Sequence, residues 1–247
     1  MKNKKISLEV SNLVIRYRSL KKFSVKKNFL KPGKTKQDSN YYEALKNISF
    51  KLNEGDILGV IGTNGAGKST LLKAIAGIFS PDEGTINLHN NSVSLQAIGV
   101  GFQKRLSGYE NIYLSGLLLG FTKEEIDNKI DEIIEFCGIG DFIYKPVNVY
   151  SSGMQSKLAF SINAILEANI MLVDEVLSVG DVKFRDKSYK KMKELILAED
   201  RTVIIVSHNM NSLRELCDKV LWIEKGEMVK FGDTNEIIDE YLEFTQK

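Results

Sequence analysis

The chain is 247 residues long, 43% hydrophobic and 27% charged, with a net charge of +2. That is the make-up of an ordinary globular protein, long enough to build a core in one large domain or two small ones. The charge balance argues against nucleic-acid binding by bulk electrostatics, no apolar run approaches the ~20 residues of a membrane span, and nothing resembles a signal peptide.

A cytosolic chain is therefore expected, reaching any membrane through a partner or its own surface. Cys137 and Cys217 fall in separate helix-like segments without metal-ligand spacing, as core thiols of a reducing compartment do. In chain order, residues 8–17 read as a strand and 44–52 as a second with partial period-two alternation. Between them Arg16, Arg18, Lys21, Lys22, Lys26, Lys27, Lys31, Lys34 and Lys36 precede the first acid, Asp38, with Leu20, Phe23, Phe29 and Leu30 interleaved. Such a stretch is either a solvated basic loop or a contact for an anionic membrane surface, where each base contributes ~1 kcal/mol.

Asn53-Glu54-Gly55-Asp56 makes a turn into 57–61, a continuous apolar run of the kind buried on both faces of a sheet. A helix is expected over 69–78, stopped near Gly77 and Pro81. Residues 97–102 are strand-like, and the pattern from 106 to 168 is mostly helical. There Thr122 and Glu125 form a capping box, and Ile126, Ile130, Ile133 and Cys137 follow at helical spacing. Runs at 170–173 and 203–206 predict further central strands, 220–224 and 228–231 a hairpin across Lys225-Gly226, and about 235–244 a last helix. The sum is a single α/β domain with a mixed sheet, a helical part at about 105–165 and a basic insertion at about 17–41.

Gly62-Thr63-Asn64-Gly65-Ala66-Gly67-Lys68-Ser69 fits G-x-x-x-x-G-K-[ST] between a predicted strand and a predicted helix. Glycines let successive N–H groups curl into a concave nest, and the helix start adds partial positive charge against phosphate oxygens. Lys68 would reach the β- and γ-phosphates and the Ser69 hydroxyl would bind Mg²⁺, which predicts a site for a nucleoside triphosphate. The apolar run ending in Asp174-Glu175 places one carboxylate near the metal and its neighbour near the terminal phosphate. Asp174 suits Mg²⁺, and Glu175 suits a general base that polarises an attacking water.

Three further stretches carry a family resemblance. Tyr150-Ser151-Ser152-Gly153-Met154 ahead of a helix, with Leu158, Ile162 and Ile165 on one face, resembles the signature loop of ABC ATPases. Gln103 matches the glutamine loop, His208 the switch histidine, and Ser178-Val179-Gly180-Asp181 the D-loop. The order agrees from about residue 6 to 232. The resemblance implies a P-loop ABC ATPase fold with a mixed sheet core, an antiparallel β part and a helical subdomain.

It also implies ATP and Mg²⁺ as cofactors, with Glu175, His208 and Gln103 catalytic. Gly62, Asn64, Gly65, Gly67, Lys68, Ser69 and Thr70 would bind nucleotide, and Ser69, Gln103 and Asp174 the metal. Tyr17 is the best match for the aromatic that stacks on adenine, with Tyr41 or Tyr42 as alternatives. Such domains work as head-to-tail pairs, so Ser151, Ser152, Gly153 and Met154 would act in trans on the nucleotide of a second copy, beside Asp181 of the D-loop.

"YSSGM", "DEVLSVGD" and "LSGYENIYLSGLLLG" are similar to exporters of polysaccharides, O-antigens and teichoic acids. In that group the ATPase sits peripherally on the cytoplasmic face of the membrane, beneath a separate permease that handles a lipid-linked polymer. The single last helix leaves no room for the carbohydrate-binding domain some of those ATPases carry, so polymer recognition is expected in the permease. The rival readings are an ABC ATPase for drug export or nutrient import, and a soluble one acting on ribosomes or DNA. The permease is expected to dock in a cleft walled by Lys104, Arg105, Leu106, Tyr109 and parts of 112–118, with Leu117–Leu119 more at home in the helical core.

Overall fold

The computed structural model describes residues 5–18, 41–95, 102–174, 181–198 and 201–246. Strand β1 (Ile6–Arg18) pairs antiparallel with β2 (Tyr41–Asn53) on one side and with β4 (Glu83–Asn87) on the other. A bulge at Asn12, whose φ is +50°, shifts the β1–β2 register between Val10 and Leu13, so both bury their side chains on the same core.

The second sheet has six strands in the order β5-β6-β7-β3-β8-β9. These are β5 (Val93–Leu95), β6 (Ile170–Asp174), β7 (Thr202–Val206), β3 (Ile57–Ile61), β8 (Lys219–Glu224) and β9 (Glu227–Asp233). All adjacent pairs run parallel except β8–β9, the hairpin across Lys225-Gly226.

Alternation sends each parallel strand's side chains into two cores. Leu172, Ile204, Val206 and Ile223 face helix α1 (Lys68–Ile75), whose Leu71, Leu72 and Ile75 are packed between this sheet and the antiparallel one. Met171, Val173, Val203, Ile205 and Trp222 face the opposite way, against α6 (Val182–Ile196), α7 (Met210–Leu216) and α8 (Thr234–Thr245). Burial on both faces is why these strands read as unbroken apolar runs. Each buried Leu or Ile contributes about 1.5–3 kcal/mol relative to exposure.

A third core lies among α2 (Gly108–Leu118), α3 (Lys123–Asp127), α4 (Ile130–Cys137) and α5 (Ser152–Ile165), around Ile112, Ile126, Ile133, Leu158 and Ile162. Both predicted partners of the Thr122 capping box are in place, and Ser107 forms a second box with Glu110. The N–H of Ser107 and that of Thr122 hold the Glu110 and Glu125 carboxyls below their ordinary pKa.

Three expectations need correcting. The helical period from Ile126 to Cys137 belongs to two helices broken at Asn128-Lys129; the four-residue step from Ile126 to Ile130 keeps both in one core and hides the break. The helix after the glycine loop runs Lys68–Ile75 rather than 69–78, because Gly77 at φ +73° turns the chain and returns its N–H to Ala74 O at 3.0 Å. Leu117 and Leu118 are not core residues but 54% and 69% exposed. Helix α2 buries Gly108, Asn111, Ile112 and Gly116, and Gly116 lies so close to Ile126 that an added Cβ would stand 2.6 Å from its Cδ1. That contact turns 117 and 118 outward. Of the strand-like stretch 97–102, Phe102 alone is among the described residues and is irregular.

Candidate nucleotide site

The C-terminal ends of β3, β7 and β6 lie side by side, so whatever follows each strand is delivered to one edge of the sheet. β3 delivers the glycine loop, β6 ends in Asp174, and β7 runs out through Val206 to His208. They enclose a cavity of about 300 Å³ whose floor is Asn64 to Thr70 and whose wall includes Asp174, Val206 and His208.

The loop's shape has identifiable causes. Gly67 caps α1 at φ +114°, and a Cβ there would stand 2.8 Å from Ala44 O and 2.8 Å from Leu45 Cδ2. A glycine is required for the helix start to lie against β2. On the far side the Thr63 hydroxyl donates to Glu224 Oε1 at 2.6 Å, and Gly226 N–H donates to Ala66 O at 2.9 Å. The β8–β9 turn thus braces the loop. Glu224 escaped the sequence reading because nothing along the chain ties it to Thr63, 161 residues away.

Lys68 is 8% exposed, and its ammonium donates to Gly62 O at 2.7 Å and Thr63 O at 3.0 Å. Its own loop holds the cation at the cavity floor. A phosphate bound there would meet this charge, the N–H groups at the start of α1 and the Ser69 hydroxyl together.

Tyr17 and Tyr42 are direct cross-strand partners and both line the cavity; Tyr41 does not. The Tyr17 hydroxyl lies 3.1 Å from Thr70 Oγ1 and its ring meets Phe79 edge-on at 5.6 Å, which fixes its orientation.

Other predicted residues stand apart. Gln103 does not line the cavity; its N–H donates to Asn111 Oδ1 at 2.8 Å, and Asn111 Nδ2 donates back to Gln103 O, Leu106 O and Ser107 O. Asn111, fully buried, is a residue the sequence reading missed, although an amide beside core-facing Ile112 on a helix is itself a signal. Ser151 caps α5, its Oγ accepting from Met154 N–H at 3.2 Å; Ser151 and Ser152 are exposed, Gly153 and Met154 half-buried, and none reaches this cavity. Asp181 caps α6. Glu175, and the D-loop stretch 178–180 before Asp181, lie outside the described residues, as does the basic stretch 19–36. Arg16 does not belong to a basic face: it bonds Glu43 at 2.9 Å and Glu83 at 2.6 Å, joining the three strands of the antiparallel sheet.

A second, larger cleft of about 880 Å³ opens between the helices and the β4–β5 region. Of the wall expected from sequence, 112–118 contributes Ser115 and Leu118, whereas Lys104, Arg105, Leu106 and Tyr109 lie outside it. Tyr109 instead packs on Tyr113 and Tyr144, with ring centroids at 5.5 and 5.9 Å. The opposite wall, Ile86 to Val93, was not foreseen.

Comparison with known proteins agrees with this geometry. Residues 45–178 match the family described as ABC transporter. The chain is 44% identical over 211 residues to the teichoic acids export ATP-binding protein TagH of Bacillus anthracis, covering 85% of this chain but 38% of that protein. It is 42% identical to the TagH of Staphylococcus epidermidis, covering 97% of this chain and 89% of that one. It is also 42% identical to the O-antigen export system ATP-binding protein RfbB of Klebsiella pneumoniae, covering 81% of each. Among solved structures, the ATP-binding subunit of an ABC transporter superimposes with a TM-score of 0.70 at 20% identity, over 95% of this chain and 92% of that one. A cavity built by a glycine loop, Lys68, Asp174 and His208 at the strand ends, together with these likenesses, places the chain in the ABC transporter family.

Proposed function

We propose that the chain is the ATP-hydrolysing subunit of an exporter for a polysaccharide, O-antigen or teichoic acid polymer. It would work as a pair of copies beneath a membrane permease, on the cytoplasmic face. The observation that carries the ATPase reading is the cavity that gathers Lys68, Ser69, Asp174 and His208 at adjacent strand ends. The polymer cargo rests on the likeness to TagH and RfbB.

Within that site Lys68 would exchange its loop carbonyls for β- and γ-phosphate oxygens. The Ser69 hydroxyl and the Asp174 carboxylate are hard oxygen donors lining the same cavity, the donor set that Mg²⁺ prefers. When bound, the ion would neutralise phosphate charge. Tyr17, held by Thr70 and Phe79, presents a ring for adenine, with Tyr42 across from it. Glu175 would take a proton from the attacking water, and His208 would contact the γ-phosphate.

The pairing follows from an unmatched helix start. Helix α5 begins at exposed Ser151 and Ser152, away from the chain's own cavity, as a helix end meant for a phosphate on another copy would. Gln103 is bound to α2 through Asn111, so rotation of the helices would carry it toward or away from the metal. The larger cleft is the dock we assign to the permease. Its lining is apolar at Ile86, Leu118 and Ile162, while Ser115 Oγ and His89 Nε2, which also line it, find no hydrogen-bond partner among the described residues.

The test is Glu175→Gln, followed by gel filtration with ATP. ATP retention without hydrolysis, and a shift to dimer, is expected; a variant that turns over at the wild-type rate would refute the assignment. Lys68→Ala should abolish tight ATP binding in an equilibrium assay.

A further inference from the structure

Thr63 has its hydroxyl, N–H and carbonyl all engaged. The hydroxyl donates to Glu224 Oε1 at 2.6 Å and the N–H, more loosely, to Glu224 Oε2 at 3.4 Å. The carbonyl accepts from Ala66 N–H at 3.1 Å and from the Lys68 ammonium at 3.0 Å, so residues 63–66 close as a turn. The far end of that turn is held in the same way: Ala66 O accepts from Gly226 N–H at 2.9 Å, and Gly226 O accepts from Lys46 N–H at 2.8 Å. Both clamps come from the β8–β9 hairpin, and between them Asn64 and Gly65 stand exposed at the cavity. The hairpin has its own anchor. Trp222, two residues before Glu224, is buried and packs its ring on Tyr241 and Phe244 of α8, with centroids at 5.5 and 5.2 Å. Neither Thr63 nor Glu224 lines the cavity, so both would reach a ligand there only through the loop.

We infer that Glu224 is a positioning residue for nucleotide binding: by fixing Thr63 from behind, it sets the shape of the phosphate nest before a phosphate arrives. The inference rests on the ATPase reading above. Converging N–H groups make an anion site, but their like-oriented dipoles repel one another while it is empty, so a clamp outside the cavity is needed to keep the shape. A loop that its ligand must order gives up affinity equal to the cost of that ordering. A brace that served folding alone would, once removed, lower resistance to urea and leave the affinity of the folded protein unchanged. Preorganisation predicts that affinity for ATP falls while turnover at saturation holds, because the ground state and the transition state use the same nest.

The experiment compares wild type with Thr63→Val, Thr63→Ser, Glu224→Ala and the Thr63→Val/Glu224→Ala double variant, each as the full chain. Equilibrium titration with Mg-ATP, steady-state hydrolysis and urea unfolding are the readouts. Thr63→Val keeps the shape of the side chain and removes its hydroxyl, whereas Thr63→Ser keeps the hydroxyl. Thr63→Val and Glu224→Ala should each weaken ATP binding about tenfold, the scale of one hydrogen bond to a charged group, with kcat within about twofold of wild type. Thr63→Ser should bind within about twofold of wild type, and the double variant should be no more than about twofold weaker than the weaker single, because both substitutions remove one interaction. The proposal is overturned if Thr63→Val, which decides the matter alone should Glu224→Ala fail to fold, binds ATP within about twofold of wild type, or if the losses multiply in the double variant. It is overturned equally if Thr63→Ser loses as much affinity as Thr63→Val, or if kcat falls as far as affinity does. Wild type that fails to bind ATP would sink the ATPase reading itself, whereas an active wild type with variants of undiminished affinity would sink Glu224 alone.

Discussion

Two glycines of the nucleotide loop have positive φ but different surroundings, and substituting each by alanine separates folding from binding. At Gly67, φ is +114° and an added methyl would stand 2.8 Å from the backbone oxygen of Ala44 and 2.8 Å from Leu45 Cδ2. Left-handed backbone costs a non-glycine residue about 1–2 kcal/mol, and the carbonyl collision adds a further overpacking cost of about 1–3 kcal/mol. Gly67→Ala should therefore lose roughly 2–5 kcal/mol of stability. At Gly65, φ is +81° and a methyl meets nothing within 4 Å, so the backbone term stands alone, about 1–2 kcal/mol. Yet Gly65 lines the cavity, and the new methyl would occupy space at the phosphate floor. Urea unfolding and binding of a fluorescent ATP analogue, run on both variants, make the comparison. Gly67→Ala should be the less stable, while Gly65→Ala should keep most of its stability and lose affinity. Equal destabilisation by the two, or full affinity in Gly65→Ala, would refute the reasoning.

Leu118→Asp places a charge on an exposed residue of the larger cleft and should leave stability within about 0.5 kcal/mol; co-purification with the permease should fall while ATP binding persists, and undiminished co-purification would move the dock elsewhere. Burial pushes the Cys137 and Cys217 thiols from the ordinary 9.0 up to about 12, so neither should react with a thiol reagent in the native protein at pH 8. By the same linkage, the stability this burial contributes is complete below about pH 9 and is lost as pH rises through about 12, which alkaline melting curves should follow.

The nucleotide site was legible because its pieces are local. A glycine loop between strand and helix, an apolar run ending in Asp174, and a histidine after another run each fit within a dozen residues. Sheet adjacency then brings them together, and the order β6-β7-β3 is set by contacts between distant segments that no window of sequence contains. Strand β4 was missed for a related reason. Glu83–Asn87 is mostly exposed and has no apolar alternation, so only its pairing with β1 makes it a strand. Leu118 misled because it sits in a run of three leucines, 117–119, and which of them turn inward was decided by Gly116 meeting Ile126. Lys104, Arg105, Leu106 and Tyr109 lie outside the larger cleft, and Tyr109 packs on Tyr113 and Tyr144, a cluster of rings from separate segments that no local pattern announces.

The pairing of Arg18 with Tyr41 closes the antiparallel sheet at the base of the 22 residues 19–40. A ladder pair of this kind fixes the two ends of whatever it closes, and doubling the length of a flexible closed segment costs only about 0.6 kcal/mol. The ladder also passes through Tyr17 and Tyr42 one step further in, at the mouth of the cavity. The pair that closes the antiparallel sheet thus stands one step from the rings that would hold the base.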